Sequence, residues 1–353
     1  MHVAVLDRRF PHHSAYSGYG QIVRRLDGVE LIAGGWPRDA PNRLADAIVR
    51  RARGRRLAYS PSSLGLELAA ARRMIRSPRA VYHVLYGEDD CHFLATVAPY
   101  LRRAGGRLVA SFHQPPAIFD EAVPALEAER ILPTLDAVLV CTSEQAHHLS
   151  RWIAPERIHR VPHGVDTGFF APDGRVRDDS EVLTVLTVGI WQRDHIQLEA
   201  VIAAFAQRDE KVRFVVVGAP QVAEHFAGLP GVEAHTGISD EALRDLYRRS
   251  DLLFLPLVQA AANNTLLEAM ACGLPIVATD LPGVREYAGP HGARFAAHFD
   301  AAAAVAEIAR LAGDPAGRER LGRDARDRAL TFDWQACATV LGDVYRRVGA
   351  ASP

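Results

Sequence analysis

Short apolar runs alternate along the chain with stretches whose apolar positions fall at helical spacing. Val3 to Leu6, Ala80 to Leu85, Arg107 to Phe112 and Ala137 to Cys141 predict buried strands of a parallel sheet. A second set, Leu183 to Val188, Arg213 to Val217, Leu252 to Leu255 and Ile276 to Thr279, predicts another. Between the sets, Ala171-Pro172-Asp173-Gly174-Arg175 and the charged residues up to Glu181 read as a linker. The expectation is an α/β chain with two sheets.

The densest signal lies between Asn263 and Asp280, where a helix start, a Gly-Pro stop and a buried strand follow one another. Thr265-x-x-Glu268 can form a capping box, Gly273 suits the left-handed position after a helix, and Pro275 stops continuation before Ile276-Val277-Ala278. Amides left free at such a helix start favour an anion. The plainer alternative is that Asn264 or Thr265 only caps the helix and Glu268 only completes the box.

With Leu252-Leu253-Phe254-Leu255-Pro256 before it and Gly283-Val284-Arg285-Glu286 after it, this stretch resembles the donor-binding half of the retaining glycosyltransferases of family 4. The resemblance continues through Arg157 to Phe170, Thr187-Val188-Gly189, Thr236 to Leu243 with Leu246-Tyr247 and Ser250-Asp251, and Phe332-Asp333-Trp334 with Val344-Tyr345. It implies the GT-B fold: two Rossmann-like domains whose parallel sheets face an interdomain cleft. The expected divisions are an acceptor-side domain over 1–170, a donor-binding domain over 171–333 and a final helix over 334–353 that returns to the first domain.

In an open α/β sheet, ligands sit outside the carboxyl ends of the strands. His113 follows such a strand in Ser111-Phe112-His113-Gln114-Pro115, and the resemblance makes it a donor-sugar contact; otherwise it is a packed strand-end histidine. Gly18 and Gly20 resemble, imperfectly, a glycine-rich loop near the diphosphate, and glycines also simply make turns. The resemblance further places the backbone of Gly237 and Ile238 at the base and Glu268 at the ribose hydroxyls. Gly189, Asn263, Asn264, Thr265 and Leu266 line the rest of the donor site.

Two departures stand out. Family members commonly carry a second glutamate separated from Glu268 by seven residues, at the place held here by Ala260, so Asn263 or Asn264 is expected to hold sugar hydroxyls instead, unless they only cap. The family also places an arginine and a lysine after the Val-Gly turn, whereas Lys211 is the only lysine of this chain. Arg193 is therefore the expected diphosphate cation, with His195 adding charge if protonated and Arg285 the next choice. The alternative pairs Arg193 with a neighbouring carboxylate on a solvated turn.

Composition narrows the remaining classes. At 353 residues the chain exceeds one ordinary core, and a net charge of -1 argues against a general nucleic-acid binder. Cys91, Cys141, Cys272 and Cys337 have no paired spacing and read as buried thiols of a reducing cytoplasm. Glu88-Asp89-Asp90 reads as acceptor-facing or solvated rather than metal-binding, and the pairs His12-His13 and His147-His148 are not metal sites. No segment approaches the ~18 apolar residues that a spanning helix needs. Arg50 to Arg56 and Arg72-Arg73-x-x-Arg76 are either solvated helix faces or contacts for an anionic membrane surface or an anionic acceptor.

The reading is a cytoplasmic, metal-independent retaining transferase without a cofactor. It moves a sugar from a nucleoside diphosphate to a small-molecule, glycan or lipid-linked acceptor by a front-face mechanism, with His113, Arg193 and Glu268 at its centre. The rivals are a nucleotide-sugar epimerase of the same fold and a catalytically silent sugar-nucleotide-binding subunit.

Overall fold

The computed structural model describes residues 2–8, 15–32, 61–174, 182–208 and 211–350. The arginines of 50–56, the pair His12-His13 and the charged part of the linker over 175–181 lie outside them. Two compact units are present. Met1–His13, Gly18–His163 and Gln335–Pro353 form the first; Ser14–Ser17 and Gly164–Trp334 form the second.

The first unit holds β1 (Val3–Leu6), β2 (Val29–Ile32), β3 (Val81–Val84), β4 (Arg107–Phe112), β5 (Ala137–Val140) and β6 (Ile158–Arg160). Their order is β2-β1-β3-β4-β5-β6, all parallel. The second unit holds β7 (Leu183–Val188), β8 (Val212–Val217), β9 (Val232–His235), β10 (Leu252–Leu255), β11 (Ile276–Thr279) and β12 (Arg294–Ala296), in the order β12-β11-β10-β7-β8-β9, also parallel. The eight expected strands are therefore present, with ends shifted by a residue in places. The four edge strands, β2, β6, β9 and β12, were not expected. Each has one neighbour and half-exposed positions, so Glu30, His159, Glu233 and Arg294 interrupt the apolar run that marks a strand covered on both faces.

Alternation along the strands divides the side chains between two faces. In the first sheet Leu6, Val84, Ala110 and Val140 join Leu66, Ala70 and Met74 of the helix Pro61–Arg76 in one core. On the other face His83 of β3 is fully buried between Ser111 Oγ at 2.7 Å and Tyr345 Oη at 2.6 Å, which ties the final helix Trp334–Ala350 to this sheet. Burial drives the His83 pKa down to about 3, so the ring is neutral. In the second sheet Leu186, Leu253 and Ala278 pack on the helix Asn264–Ala271. Val185, Phe254 and Val277 pack on the opposite side against the helices His195–Phe205 and Ala301–Ala312.

Gly164 to Phe170 counts with the second unit rather than with the first. The Val165 amide donates to Phe332 O at 2.9 Å, the Thr167 hydroxyl to Asp333 Oδ2 at 2.6 Å, and the Phe170 ring is buried in the second unit's core. Tyr16 joins the same unit because its ring stacks on Phe169 with centroids 3.5 Å apart.

Candidate functional site

Topology decides where each unit can bind. In the second sheet the chain runs β7-β8-β9 to one side and then crosses to build β10-β11-β12 on the other, so the order reverses between β7 and β10. Helices leave the carboxyl ends of those two strands in opposite directions and open a crevice there. The segments that follow are 189–194 after β7 and 256–265 after β10, which the Arg193–Leu257 bridge and the Val258 N–H to Gln192 O bond (3.0 Å) hold together.

Arg193 lies at this reversal. Its guanidinium donates Nε–H to Val188 O at 2.7 Å, Nη1–H to Trp191 O at 2.9 Å and Nη2–H to Thr265 Oγ1 at 3.0 Å. No carboxylate pairs with it among the described residues, so the expected alternative of an ion pair on a solvated turn is not what the fold provides. Burial lowers its pKa to about 10, partly offset by Tyr247 and Glu268, and it stays charged at neutral pH. Gly189 makes room for it: with φ at +125°, a Cβ there would lie 2.1 Å from Nη2. Burial lowers the His195 pKa and Arg193 lowers it further, so the second charge expected from His195 is absent at neutral pH. Arg285 is held by Asp280, with Nη2 and Oδ2 2.6 Å apart.

A cation beside the positive end of a helix is electrostatically unfavourable by itself. Arg193 is there because its forks are held by the carbonyls and by Thr265, in the second position of the helix Asn264–Ala271. The cap of that helix differs from the expected box. Asn263 is the N-cap, its Oδ1 accepting the Leu266 amide at 3.0 Å, and Glu268 turns inward instead of returning to the helix start. Leu266 thus has its side chain in the core and its amide committed. The amides of Asn264 and Thr265 have no acceptor among the described residues, and the Thr265 hydroxyl beside them accepts from the Arg193 guanidinium. The far end closes as expected: Gly273, φ +67°, donates to Met270 O at 2.9 Å and Leu274 to Ala269 O at 3.0 Å, a Schellman stop.

Glu268 is 8% exposed. Its Oε2 accepts the Tyr247 hydroxyl at 2.9 Å, while Oε1 has no partner among the described residues and is not sealed from the surface. Burial is the main reason that its pKa rises to about 8, with Asp240 adding to the rise and Tyr247 and Arg193 opposing it. The carboxyl is therefore mostly protonated at neutral pH. In the sequence Tyr247 enters only through the resemblance, in the helix after Thr236 to Leu243, and nothing in its spacing shows that its hydroxyl meets Glu268.

The two asparagines differ. Asn263 caps, and Asn264 is exposed, its side-chain amide without a partner among the described residues. Asn263→Ala is expected to lower stability by about 1 kcal/mol, the usual worth of such a cap. Asn264→Ala should leave stability unchanged and reduce donor use instead. Denaturant titration beside donor kinetics separates the two, and equal stability losses would refute this division. Ala260, in place of a family glutamate, is buried; its carbonyl and that of Ala261 crowd Gly283, where a Cβ would meet them at 2.6 and 2.5 Å. Gly237, φ +62°, and Ile238 follow the edge strand β9 just before the helix Asp240–Arg249. Among the described residues, its chain neighbours aside, nothing lies within 4 Å of where a Gly237 Cβ would be.

In the first sheet the order reverses between β1 and β3. Gly18, φ +94°, and Gly20 follow β1; a Cβ on Gly20 would lie 3.1 Å from the Asp7 carboxylate. Tyr19 between them turns inward, donating to Val161 O at 3.0 Å with its ring 3.9 Å from that of His113. His113 follows β4, its Nε2 bonded to Leu85 O and its Nδ1 3.6 Å from Cys141 Sγ. Glu88 and Asp90 are buried rather than solvated. The Glu88 carboxylate accepts the amides of His113 and Gln114, fixing the turn that presents the histidine, and Asp90 pairs with Arg8. Burial raises the pKa of each to about 7. Arg73, from one of the arginine clusters, is committed to Glu30 at 2.7 Å. Among the described residues no helix is long and apolar enough to cross a membrane.

Residues 21–169 match the model of Glycosyltransferase Family 4, and residues 183–314 that of Glycosyl transferases group 1. Together they account for most of the chain. The chain belongs to glycosyltransferase family 4. It is 33% identical over 204 residues to the MMP alpha-(1->4)-mannosyltransferase of Mycolicibacterium hassiacum, covering 55% of this chain and 49% of that protein. The chain thus spans about half the length of that relative. To the alpha-maltose-1-phosphate synthase of Mycobacterium tuberculosis it is 27% identical over 393 residues, covering 99% of this chain and all of the other. The sucrose-phosphate synthase of Thermosynechococcus elongatus shares the fold, with a TM-score of 0.73 at 20% identity over 99% of both chains. So does Anabaena HepE in complex with UDP-glucose, with a TM-score of 0.66 at 14% identity over 98% of this chain and 100% of the other. The two-sheet α/β architecture is that of the GT-B glycosyltransferases.

Proposed function

We propose that the chain is a retaining, metal-independent glycosyltransferase that uses a nucleoside-diphosphate sugar. The observation that carries this reading is the Arg193 guanidinium, which has no carboxylate partner among the described residues, bonded to Thr265 at the β7/β10 reversal, where the amides of Asn264 and Thr265 have no acceptor among the described residues and Glu268 follows one turn further along the helix. Donors fixed in that way stabilise charge developing on a leaving diphosphate. As the anomeric carbon to phosphate-oxygen bond breaks, an acceptor hydroxyl attacks from the same face. Its proton passes to the departing phosphate oxygen, so atoms and charge balance without a protein nucleophile. Glu268 Oε1 receives the ribose hydroxyls, Gly237 and Ile238 meet the base, and Asn264 takes a sugar hydroxyl. His113, oriented by Leu85 and Glu88, serves the donor sugar.

HepE is a fold relative in complex with UDP-glucose, so UDP-glucose is the first donor to test. The names of the relatives carry phosphorylated products or acceptors, which makes sugar phosphates and inositol phosphates the first acceptors. The decisive experiment incubates the protein with each pair and follows nucleotide release and the anomeric configuration of the product by NMR. Acceptor-dependent release with retained configuration supports transfer. Acceptor-independent release with a rearranged sugar would identify an epimerase, and donor binding without release a silent subunit.

A further inference from the structure

Of the three tryptophans among the described residues, Trp334 is buried and Trp152 is covered by the Arg151 guanidinium at 4.2 Å. Trp191 is different. It is 53% exposed on the turn after β7, and its neighbour Ile190 is 63% exposed. A single apolar side chain in water needs no explanation, but this pair stands on a turn whose backbone is held from several sides. The Trp191 carbonyl accepts from Arg193 Nη1 at 2.9 Å and the Gln192 carbonyl from the Val258 amide at 3.0 Å. The Asp194 amide donates to Pro256 O at 3.1 Å. Between the tryptophan and the arginine, Gln192 has φ at +55°, a left-handed conformation that a residue with a side chain keeps only where its surroundings impose it. The backbone of Trp191 is thus anchored to the guanidinium while its ring stands in solvent.

We propose that Trp191 is a platform for the acceptor, and that the acceptor presents a sugar or inositol ring to it. The inference rests on the reading of Arg193 as the diphosphate cation. In a same-face transfer the attacking hydroxyl stands beside the departing phosphate oxygen, so the ring that carries this hydroxyl lies next to Arg193, where the indole is. An indole offers a flat apolar face, negative at its centre, with one N–H donor at its edge. A six-membered polyol ring matches it, with C–H groups across one face and hydroxyls around the rim that can accept from the N–H. The base is too far away to be the occupant. Gly237 and Ile238 follow β9, which β8 separates from β7, so they stand about 10 Å away across the sheet at the usual strand spacing. A lipid chain is also a poor match, because the polar Gln192 and the guanidinium follow directly and leave no long apolar track along the turn.

Calorimetric titrations of the UDP-loaded protein with glucose 6-phosphate, maltose and inositol 1-phosphate test this, beside titrations of the free protein with UDP-glucose. At least one of the three should bind the wild type and change the part of its fluorescence that Trp191→Phe removes; which one it is distinguishes a sugar from an inositol. Trp191→Ala should weaken that binding about tenfold or more, and Trp191→Leu equally, because leucine is apolar without a flat face; Trp191→Phe should lose only about threefold. UDP-glucose should bind the wild type and the three variants alike, since each keeps the backbone carbonyl that holds Arg193. Acceptor binding that survives Trp191→Ala, or that falls together with UDP-glucose binding, would overturn the platform. So would a wild type that binds none of the three, or that binds dodecyl phosphate in their place, which would make the turn a lipid contact. A wild type that does not bind UDP-glucose would remove the donor reading, and this inference with it, by a result seen before any variant is made.

Discussion

Arg193→Ala is expected to reduce transfer more than tenfold while leaving the protein folded, and Arg193→Lys to recover only part of the loss. A hydrogen bond to a charged group is worth about 1.5–3 kcal/mol, and each 1.4 kcal/mol is a factor of ten in rate. The guanidinium is tied at once to Val188 O, Trp191 O and Thr265 Oγ1, which fixes its direction at the start of the helix Asn264–Ala271. A lysine supplies the charge as a point and cannot satisfy both carbonyls and Thr265 while still meeting a phosphate. Gly189→Ala should give a similar loss by another route, since its Cβ would overlap the guanidinium and force the arginine out. Steady-state kinetics with saturating acceptor would check both. Full activity in Arg193→Ala would move the phosphate site elsewhere.

Glu268→Gln should weaken donor binding about tenfold at pH 8 and flatten its pH dependence. In the free protein burial holds the Glu268 pKa near 8, whereas a carboxylate that accepts ribose hydroxyls must be ionised. Binding at neutral pH should therefore release a proton, and affinity should rise from pH 6 to about pH 8 and level off above it. Stability of the free protein runs the other way. A carboxyl with a raised pKa contributes fully below its ordinary value of 4.5 and loses that contribution as pH rises through 8, so the wild type should lose stability across that window relative to Glu268→Gln. Calorimetry in buffers of different ionisation enthalpy counts the proton directly. Equal affinity for donor in both proteins, with no proton released, would take Glu268 out of the ribose site.

The outline of the second unit was legible because its signals are local. The run of Leu252 to Leu255, the Gly273-Pro275 stop and the strand from Ile276 each depend on neighbours a few positions away. Which residue caps this helix was not legible at the same place, for a related reason. Asn263, Asn264 and Thr265 all have side chains able to cap, and spacing to Glu268 favours Thr265 for a box. The fold chose Asn263 because the interior phenol of Tyr247 draws Glu268 inward, a contact across 21 positions that no local pattern carries. The burial of the acidic run at Glu88 was not legible for the same reason, since its partners are the amides of His113 and Gln114 just after β4 and Arg8 just after β1.

By itself the sequence determined the two sets of buried strands, the helix that starts after β10 and stops at Gly273, and the family. These follow from hydrophobic periodicity, backbone conformational limits and an ordered motif, all written along one dimension. Tertiary structure alone decided how those parts act. Strand order put the β7 and β10 loops side by side, burial set the charge states of Glu268, His195 and His83, and three acceptors 5, 2 and 72 positions away fixed the direction of Arg193. The reason is that charge state and hydrogen-bond direction depend on distance and solvent access in space, which chain proximity does not specify.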